Sequence, residues 1–492
     1  MNGLASVYRL EGKDEQAREL VVRTLALQRR SLGDEHPDTL TTMINLAEVN
    51  RNQGRYPEAE ELFSKVLEVR RRVLGDEHPE TLSAMDLLAL QYRYQGKYGP
   101  AEELCARTLE VRSRVLGAEH AATLDTMISL GVLYRLHGKY PEAEEILTKA
   151  LEAGRKALGE ENPITLTGMN ELPGVYWVQG KYAEAEPLYA KVLEIQRRLL
   201  GEEHSETLSI MNNLALVYLS EGKYSQAEPQ LTKVLEVRRR VLGEQHPDTL
   251  RSMNNLAVAY VNEGKYDRVE PLYARVLEIQ RRALGEEHPD TLLTTNNLAA
   301  LYRYQGKYAQ SEALYTKAVD GRRRALGEQN PDTLVSMNDL ASMYESQGNY
   351  ARSEALFTEV LEARRRVLGP EHPVTWGTLA SVGRVRLRQR KYAEAELVLR
   401  EALNGQETKS PDGWPRFNSQ SLLGGALAGE GKYEEAERLL LSGYEGLIER
   451  ESKIPWPLRW AVEQAGDRIV QLYQDWSKPE KAAEWRARLR RP

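Results

Sequence analysis

The chain has 492 residues, 41% of them hydrophobic and 28% charged, with a formal net charge of −6 at pH 7. That balance gives no general drive toward nucleic acid or acidic membranes, and no apolar run approaches the roughly 20 residues of a membrane span. Cys105 is the only cysteine, which excludes an internal disulfide and points to a reducing compartment, so the sequence predicts a cytoplasmic protein.

One period governs nearly all of the chain. A glycine recurs at 33, 75, 117, 159, 201, 243, 285, 327 and 369, a spacing of 42 residues without a slip. A fixed period of this size is the signature of stacked repeats. Residues 1–33 read as a truncated first repeat: MNGLASVY is the second half of a helix rather than a signal peptide, and a complete second helix follows Gly12-Lys13. The missing capping helix predicts an apolar end that a longer protein would cover, or that would support self-association through the exposed ends.

Residues 34–369 hold eight complete periods with short, nearly identical loops. In the copy from Glu202 to Gly243, the residues Leu208, Met211, Leu214, Ala215 and Tyr218 recur at three- and four-residue steps, one apolar stripe on a first helix. The loop before it, His-Pro-Asp-Thr at 246–249 in the next copy, supplies a Pro for the first turn and an Asp or Thr as its cap. Gly222 ends that helix. A second stripe follows in Tyr224, Ala227, Leu231, Val234, Leu235, Val237 and Val241, and Gly243 stops it. Neither helix can bury its stripe alone, so each pair must stack on its neighbours. The copy at 160–201 departs from the rule, because Pro173 replaces the usual small residue and predicts a kink.

After Gly369 the regularity decays into two divergent repeats over 370–453 and a degenerate C-terminal capping pair over 454–492. The segment from Asn404 to Phe417, rich in Gly, Pro and polar residues, reads as a loop. Six of the seven tryptophans lie from Trp376 to Trp485 and read as a cap on the last apolar face rather than an aromatic ligand cage.

These residues carry a family resemblance. Leu214-Ala215, Tyr218, Gly222, Tyr224 and Ala227 stand at the offsets of a tetratricopeptide repeat. The 42-residue length, with MNNLA, GKY-x-EAE-x-LY and LG-x-EHP-D-T-L, resembles the long variety found in kinesin light chain and in many bacterial and fungal signalling proteins. The resemblance implies an all-α, right-handed superhelical solenoid of about 12 stacked antiparallel helix pairs, a scaffold for a protein or peptide ligand in its concave groove. The ending LYQDWSKPEKAAEWRARL resembles the tails of bacterial protein kinases that carry such repeats. That keeps a second reading open: the sensor arm of a larger signalling protein, such as a Ser/Thr kinase or a nucleotide-dependent switch. A cargo adaptor for a motor is disfavoured, because no heptad coiled coil precedes the repeats.

No signal for catalysis or a cofactor is present. Seven of the eight histidines (36, 78, 120, 204, 246, 288 and 372) hold one loop position in successive copies, and Asn162 and Asn330 replace two others. Helices packed about 8–10 Å apart cannot bring such a ladder to one metal, and the acceptance of Asn points to a loop hydrogen bond. Every Gly-Lys is followed by Tyr or Asp, which rules out a phosphate-binding loop. Cys105 occupies the place of Tyr189 and Tyr273, which predicts a half-buried structural thiol. Arginine runs at 70–72, 238–240, 322–324 and 364–366 fall in the last turns of second helices and read as a solvated, charge-balanced edge.

What remains is the groove. The family resemblance implies that polar positions of the first helix meet the ligand, and that matching Asn and basic positions hold a peptide. One such position reads Asn170, Asn212, Asn254, Asn296 and Asn338; another reads Arg9, Arg51, Arg93, Arg135 and, after a gap, Arg303. Asn offers donors and an acceptor to an extended backbone, and a row of Arg clamps carboxylates or phosphates. The alternative for the asparagines is a purely internal role, tying neighbouring helices together. The expectation is a groove with an arginine-lined N-terminal half and an asparagine-lined C-terminal half, suited to acidic or phosphorylated extended segments.

Overall fold

The structure is a computed structural model that describes Gly3, Tyr8, residues 14–454 and residues 458–489. Among the described residues are 23 α-helices and no strand. Helix α1 (Asp14–Leu32) leads into the pairs α2 (Pro37–Asn52) and α3 (Tyr56–Leu74), α4 (Pro79–Tyr94) and α5 (Tyr98–Leu116), then α6 (Ala121–Leu136) and α7 (Tyr140–Ala157). There follow α8 (Pro163–Val178) and α9 (Tyr182–Leu200), α10 (Ser205–Ser220) and α11 (Tyr224–Leu242), α12 (Pro247–Asn262) and α13 (Tyr266–Ala283). Next come α14 (Pro289–Tyr304) and α15 (Tyr308–Leu326), α16 (Pro331–Ser346) and α17 (Tyr350–Val367), α18 (Pro373–Arg388) and α19 (Tyr392–Lys409). The chain closes with α20 (Trp414–Gly429), α21 (Tyr433–Glu449), α22 (Trp460–Asp475) and α23 (Pro479–Leu489). Each helix packs on the one before and the one after, so the whole is an all-α solenoid. No helix among the described residues is long and apolar enough to cross a membrane.

From α2 to α18 the cap of the even-numbered helices is the loop histidine itself, or the Asn that replaces it, not the Asp or Thr after it. Ring Nδ1 of His36 accepts from the Asp38 amide at 3.2 Å, and that of His372 from Val374 at 3.1 Å. Oδ1 of Asn162 and Asn330 does the same at 3.0 and 2.9 Å, which is why Asn replaces His there. An accepting Nδ1 leaves the proton on Nε2. The far end closes on glycine: Gly96 has φ +71°, and Lys97 N–H reaches back to the Tyr92 carbonyl at 2.9 Å.

Leu208, Met211, Leu214, Ala215 and Tyr218 of α10 face Ala227, Leu231, Val234 and Leu235 of α11, all buried in one core. Each large member contributes about 1.5–3 kcal/mol of burial. Val241, expected on that stripe, is 53% exposed, because the buried face of α11 ends one turn earlier, at Arg238. Cys105 is fully rather than half buried, and burial pushes its thiol up to about 12. Helix α8 runs unbroken through Pro173.

Two further expectations need correction. The arginine runs are not uniformly solvated. The first member is buried, as Arg70, Arg238, Arg322 and Arg364 all are, and reaches the next helix pair. Arg322 Nη1, for example, donates to the Asp332 carbonyl at 2.7 Å and to Ser336 Oγ at 2.8 Å. The third member pairs with the preceding loop, as in Arg72–Glu35 and Arg240–Glu203. The expected loop over 404–417 shrinks to residues 410–413, because α19 continues to Lys409 and α20 begins at Trp414. Gly405 does not break α19: it lets the Trp376 ring of α18 come close to the helix, where a methyl would overlap the indole.

Successive turns of the superhelix touch. A methyl at Gly54, Gly96 or Gly138 would collide with Pro289, Pro331 or the His372 ring, respectively. His288 Nε2 meets the Asn52 carbonyl at 3.0 Å and His372 Nε2 the Leu136 carbonyl at 3.4 Å, each across 236 residues of chain. The proton left on Nε2 by the capping bond is the one available for this contact. The groove is therefore a lumen, walled by one turn and closed at its edge by the next.

Candidate functional site

The last two turns of the even-numbered helices line the lumen. The asparagine row lies just behind that surface. Asn255 Nδ2 donates to Asn212 Oδ1 at 2.8 Å, Asn213 Nδ2 to Asn170 Oδ1 at 3.2 Å, and Asn296 Nδ2 to Asp339 Oδ2 at 2.8 Å. Asn254 bonds Thr294 Oγ1 at 3.0 Å, and Asn338 Oδ1 accepts from Arg364 at 3.1 Å. Asn212, Asn254 and Asn296 are only 8%, 8% and 4% exposed, so their amides serve the contacts between neighbouring pairs. Asn170 and Asn338 are half-buried and reach the lumen surface. The paired Asn of MNNLA was the legible sign of this ladder.

The arginine row has packing partners that periodicity does not reveal. Arg51 stacks over Phe63 and Tyr94, at 5.7 and 5.4 Å from the ring centres, and Arg93 lies 5.5 Å from the same Tyr94. Arg135 pairs with Glu171 at 3.5 Å, and Arg303 lies 4.6 Å over Tyr304. Arg9 falls outside the described residues.

Among the cavities formed by the described residues, two hold expected groove residues. The smaller, about 240 Å³, joins Arg135 and Asn170 with Glu171, Gly174 and Trp177. The larger, about 900 Å³, joins Arg303 and Asn338 with Asp339, Glu345, Arg384 and Arg388, and is closed by Trp414, Trp460 and Gln464 from the C-terminal end. The structure thus brings one predicted Arg and one predicted Asn together in each cavity, and leaves Arg51 and Arg93 apart from both.

Glu345 stands in the same groove row as Arg303, one period on, whereas the roles of Arg384 and Trp460 in the larger cavity were not read from the sequence. Arg384 grips Glu345 with two bonds of 2.7 Å and lies 4.9 Å over the Trp460 ring. Its place is held in the earlier copies by Gly174, Leu216, Val258, Ala300 and Ser342, so an abrupt charge in a small or apolar row was the available signal. Burial raises the Asp339 carboxyl above its ordinary value, although Asn296 and nearby Arg303 and Arg364 favour its charge. Of the tryptophans expected to form a cap, Trp485 is buried edge-on against Tyr444 and Trp476 stacks on Tyr433. Trp414 and Trp460 face the cavity instead. Trp456 lies outside the described residues.

The family described as tetratricopeptide repeat matches residues 1–54, 43–104, 87–156, 164–240, 222–282, 260–324, 290–365 and 332–408. No curated protein matches the chain. Among solved structures, a Podosopora anserina protein described as having kinesin light chain nearly identical TPR-like repeats is 30% identical. It covers 40% of this chain and 94% of its own, with a TM-score of 0.36. BtubC (BKLC) from P. vanneervenii is 22% identical over 51% of this chain and 94% of its own, with a TM-score of 0.37.

Proposed function

The chain belongs to the tetratricopeptide repeat family, and from that premise we propose that it is a non-catalytic scaffold that holds extended, acidic protein segments inside its superhelical lumen. Scaffolds of this family are typical of protein–protein interaction, and typically not of catalysis. The observation that carries the finer reading is the pairing of Arg135 with Asn170 in one lumen cavity and of Arg303 with Asn338 in the other. In each, a guanidinium takes a carboxylate, while an amide bonds the segment's backbone at about 0.5–1.5 kcal/mol per hydrogen bond.

The test is capture of peptides from a random decapeptide library by the full chain, followed by titration at low and high salt. Acidic peptides should dominate the captured set. Binding should weaken with salt, as screening of charge requires, and should fall about fivefold to tenfold in Arg135→Ala and Arg303→Ala. Salt-independent binding, unchanged in the triple variant Arg51/Arg93/Arg135→Ala, would contradict the reading.

A further inference from the structure

The larger cavity is built unlike the rest of the lumen. Its floor follows one row of the repeat, the last residue of each even-numbered helix: Asn262, Tyr304, Ser346 and Arg388. Its roof is the start of α20 and the start of α22, so the solenoid's own end folds over it.

Three observations converge here. Arg384 is already engaged, on Glu345 and on the Trp460 ring, whereas Arg303 stacks on the Tyr304 ring. Arg388 is exposed, lines the cavity and has no carboxylate among the described residues within bonding reach. Asn418 is only 7% exposed, lines the same cavity, and its amide oxygen has no hydrogen-bond donor among the described residues; the buried oxygen of Gln464 lacks one as well. Buried amide oxygens are normally bonded; these two stand together on one wall of the cavity, while others without donors, such as those of Gln196 and Gln280, are spread along the repeats.

Charge points the same way. The cavity wall carries three arginines, 303, 384 and 388, against the carboxylates of Asp339 and Glu345. One turn beyond Gln464, Arg468 lies over Gly425, donates through Nε to Ser421 Oγ at 3.1 Å, and keeps one buried terminal nitrogen without a partner. Burial, with the charges of Arg388 and Arg384 close by, lowers the pKa of this guanidinium to about 9, and Asp467 offsets only part of that. The site lacks one negative charge.

We propose that this C-terminal cavity fixes the register of the bound segment: Arg388 takes one of its carboxylates, and the amide oxygens of Asn418 and Gln464 accept from its backbone N–H groups. The inference rests on the peptide-binding reading and names the position in the lumen where acidity is read. The segment's remaining length runs toward the Arg135–Asn170 cavity.

The probe is the tightest acidic decapeptide captured from the random library, with single Glu→Gln or Asp→Asn analogues at each acidic position. Arg388 has no internal partner, so Arg388→Ala keeps the fold, which a thermal melt checks. One analogue should bind the natural chain about tenfold more weakly than its parent, and Arg388→Ala should bind parent and analogue equally. Gln464→Leu should weaken the parent about fivefold. If Arg388→Ala and Gln464→Leu bind like the natural chain while Arg135→Ala does not, the C-terminal site is wrong and the lumen reading stands. If the library yields no captured peptide, both fall.

Discussion

His372 caps α18 through Nδ1 and touches the Leu136 carbonyl, one superhelical turn away, through Nε2. Burial lowers its pKa from 6.5 to about 4, with His137 and Arg364 adding to the push and the Leu136 bond opposing it. The folded state therefore holds the neutral ring. This contribution to stability is complete above about pH 6.5 and is lost as pH falls toward 4, by about 3 kcal/mol. His372→Asn keeps the cap, as Asn330 does, and should lack that pH dependence in melts at pH 7, 5.5 and 4; identical pH profiles would rule the assignment out. The arginine runs yield a second contrast. Arg238 is buried and bonds Ser252 and Ser209, both at 3.0 Å, whereas Arg240 is exposed in a surface pair. Arg238→Ala should cost about 2–3 kcal/mol and Arg240→Ala less than about 0.5 kcal/mol, read by denaturant unfolding. The sequence displayed this difference faintly: Gln196 and Gln280 share the register of Arg238, and apart from Gly154 the row from 70 to 406 holds only Arg and Gln, both donors.

At the scale of the helix, periodicity was a sound guide wherever the apolar stripe was unbroken. It failed where a residue with a strong local preference answered to a neighbour instead. Gly405 reads as a helix breaker, yet it stands inside α19 because Trp376 occupies the space of its missing side chain. Gly405→Ala should destabilise the C-terminal repeats by about 1–3 kcal/mol despite alanine's better helix propensity, seen as an earlier thermal transition. A stabilised variant would show that α19 is only loosely packed on α18. The loop histidines follow the same logic in reverse. Their shared position pointed to a hydrogen bond, and Asn162 and Asn330 tell which one, because the oxygen of an Asn can replace only an accepting ring nitrogen.

For the molecule as a whole, contact between successive turns was not legible. Eight copies of a near-identical repeat look alike in sequence whether or not the superhelix closes on itself. The glycines allow the closure to be tested. Gly96 and Gly306 have φ of +71° and +72°, but only Gly96 abuts another turn, at Pro331, while Gly306 faces open space. Both Ala variants carry the same backbone strain of about 1 kcal/mol. Only Gly96→Ala should also enlarge the radius of gyration in small-angle scattering; equal scattering from the two would argue against the contact.

Closure also bears on the proposed function, since a closed lumen would surround a bound segment on all sides. The most direct test is hydrogen–deuterium exchange of the full chain with and without a captured acidic decapeptide. Slowed exchange in the last turns of α8, α14, α16 and α18 and at the start of α22, with the odd-numbered helices unchanged, is the predicted result. Protection confined to the odd-numbered helices, or none at saturating peptide, would contradict a lumen that holds protein segments.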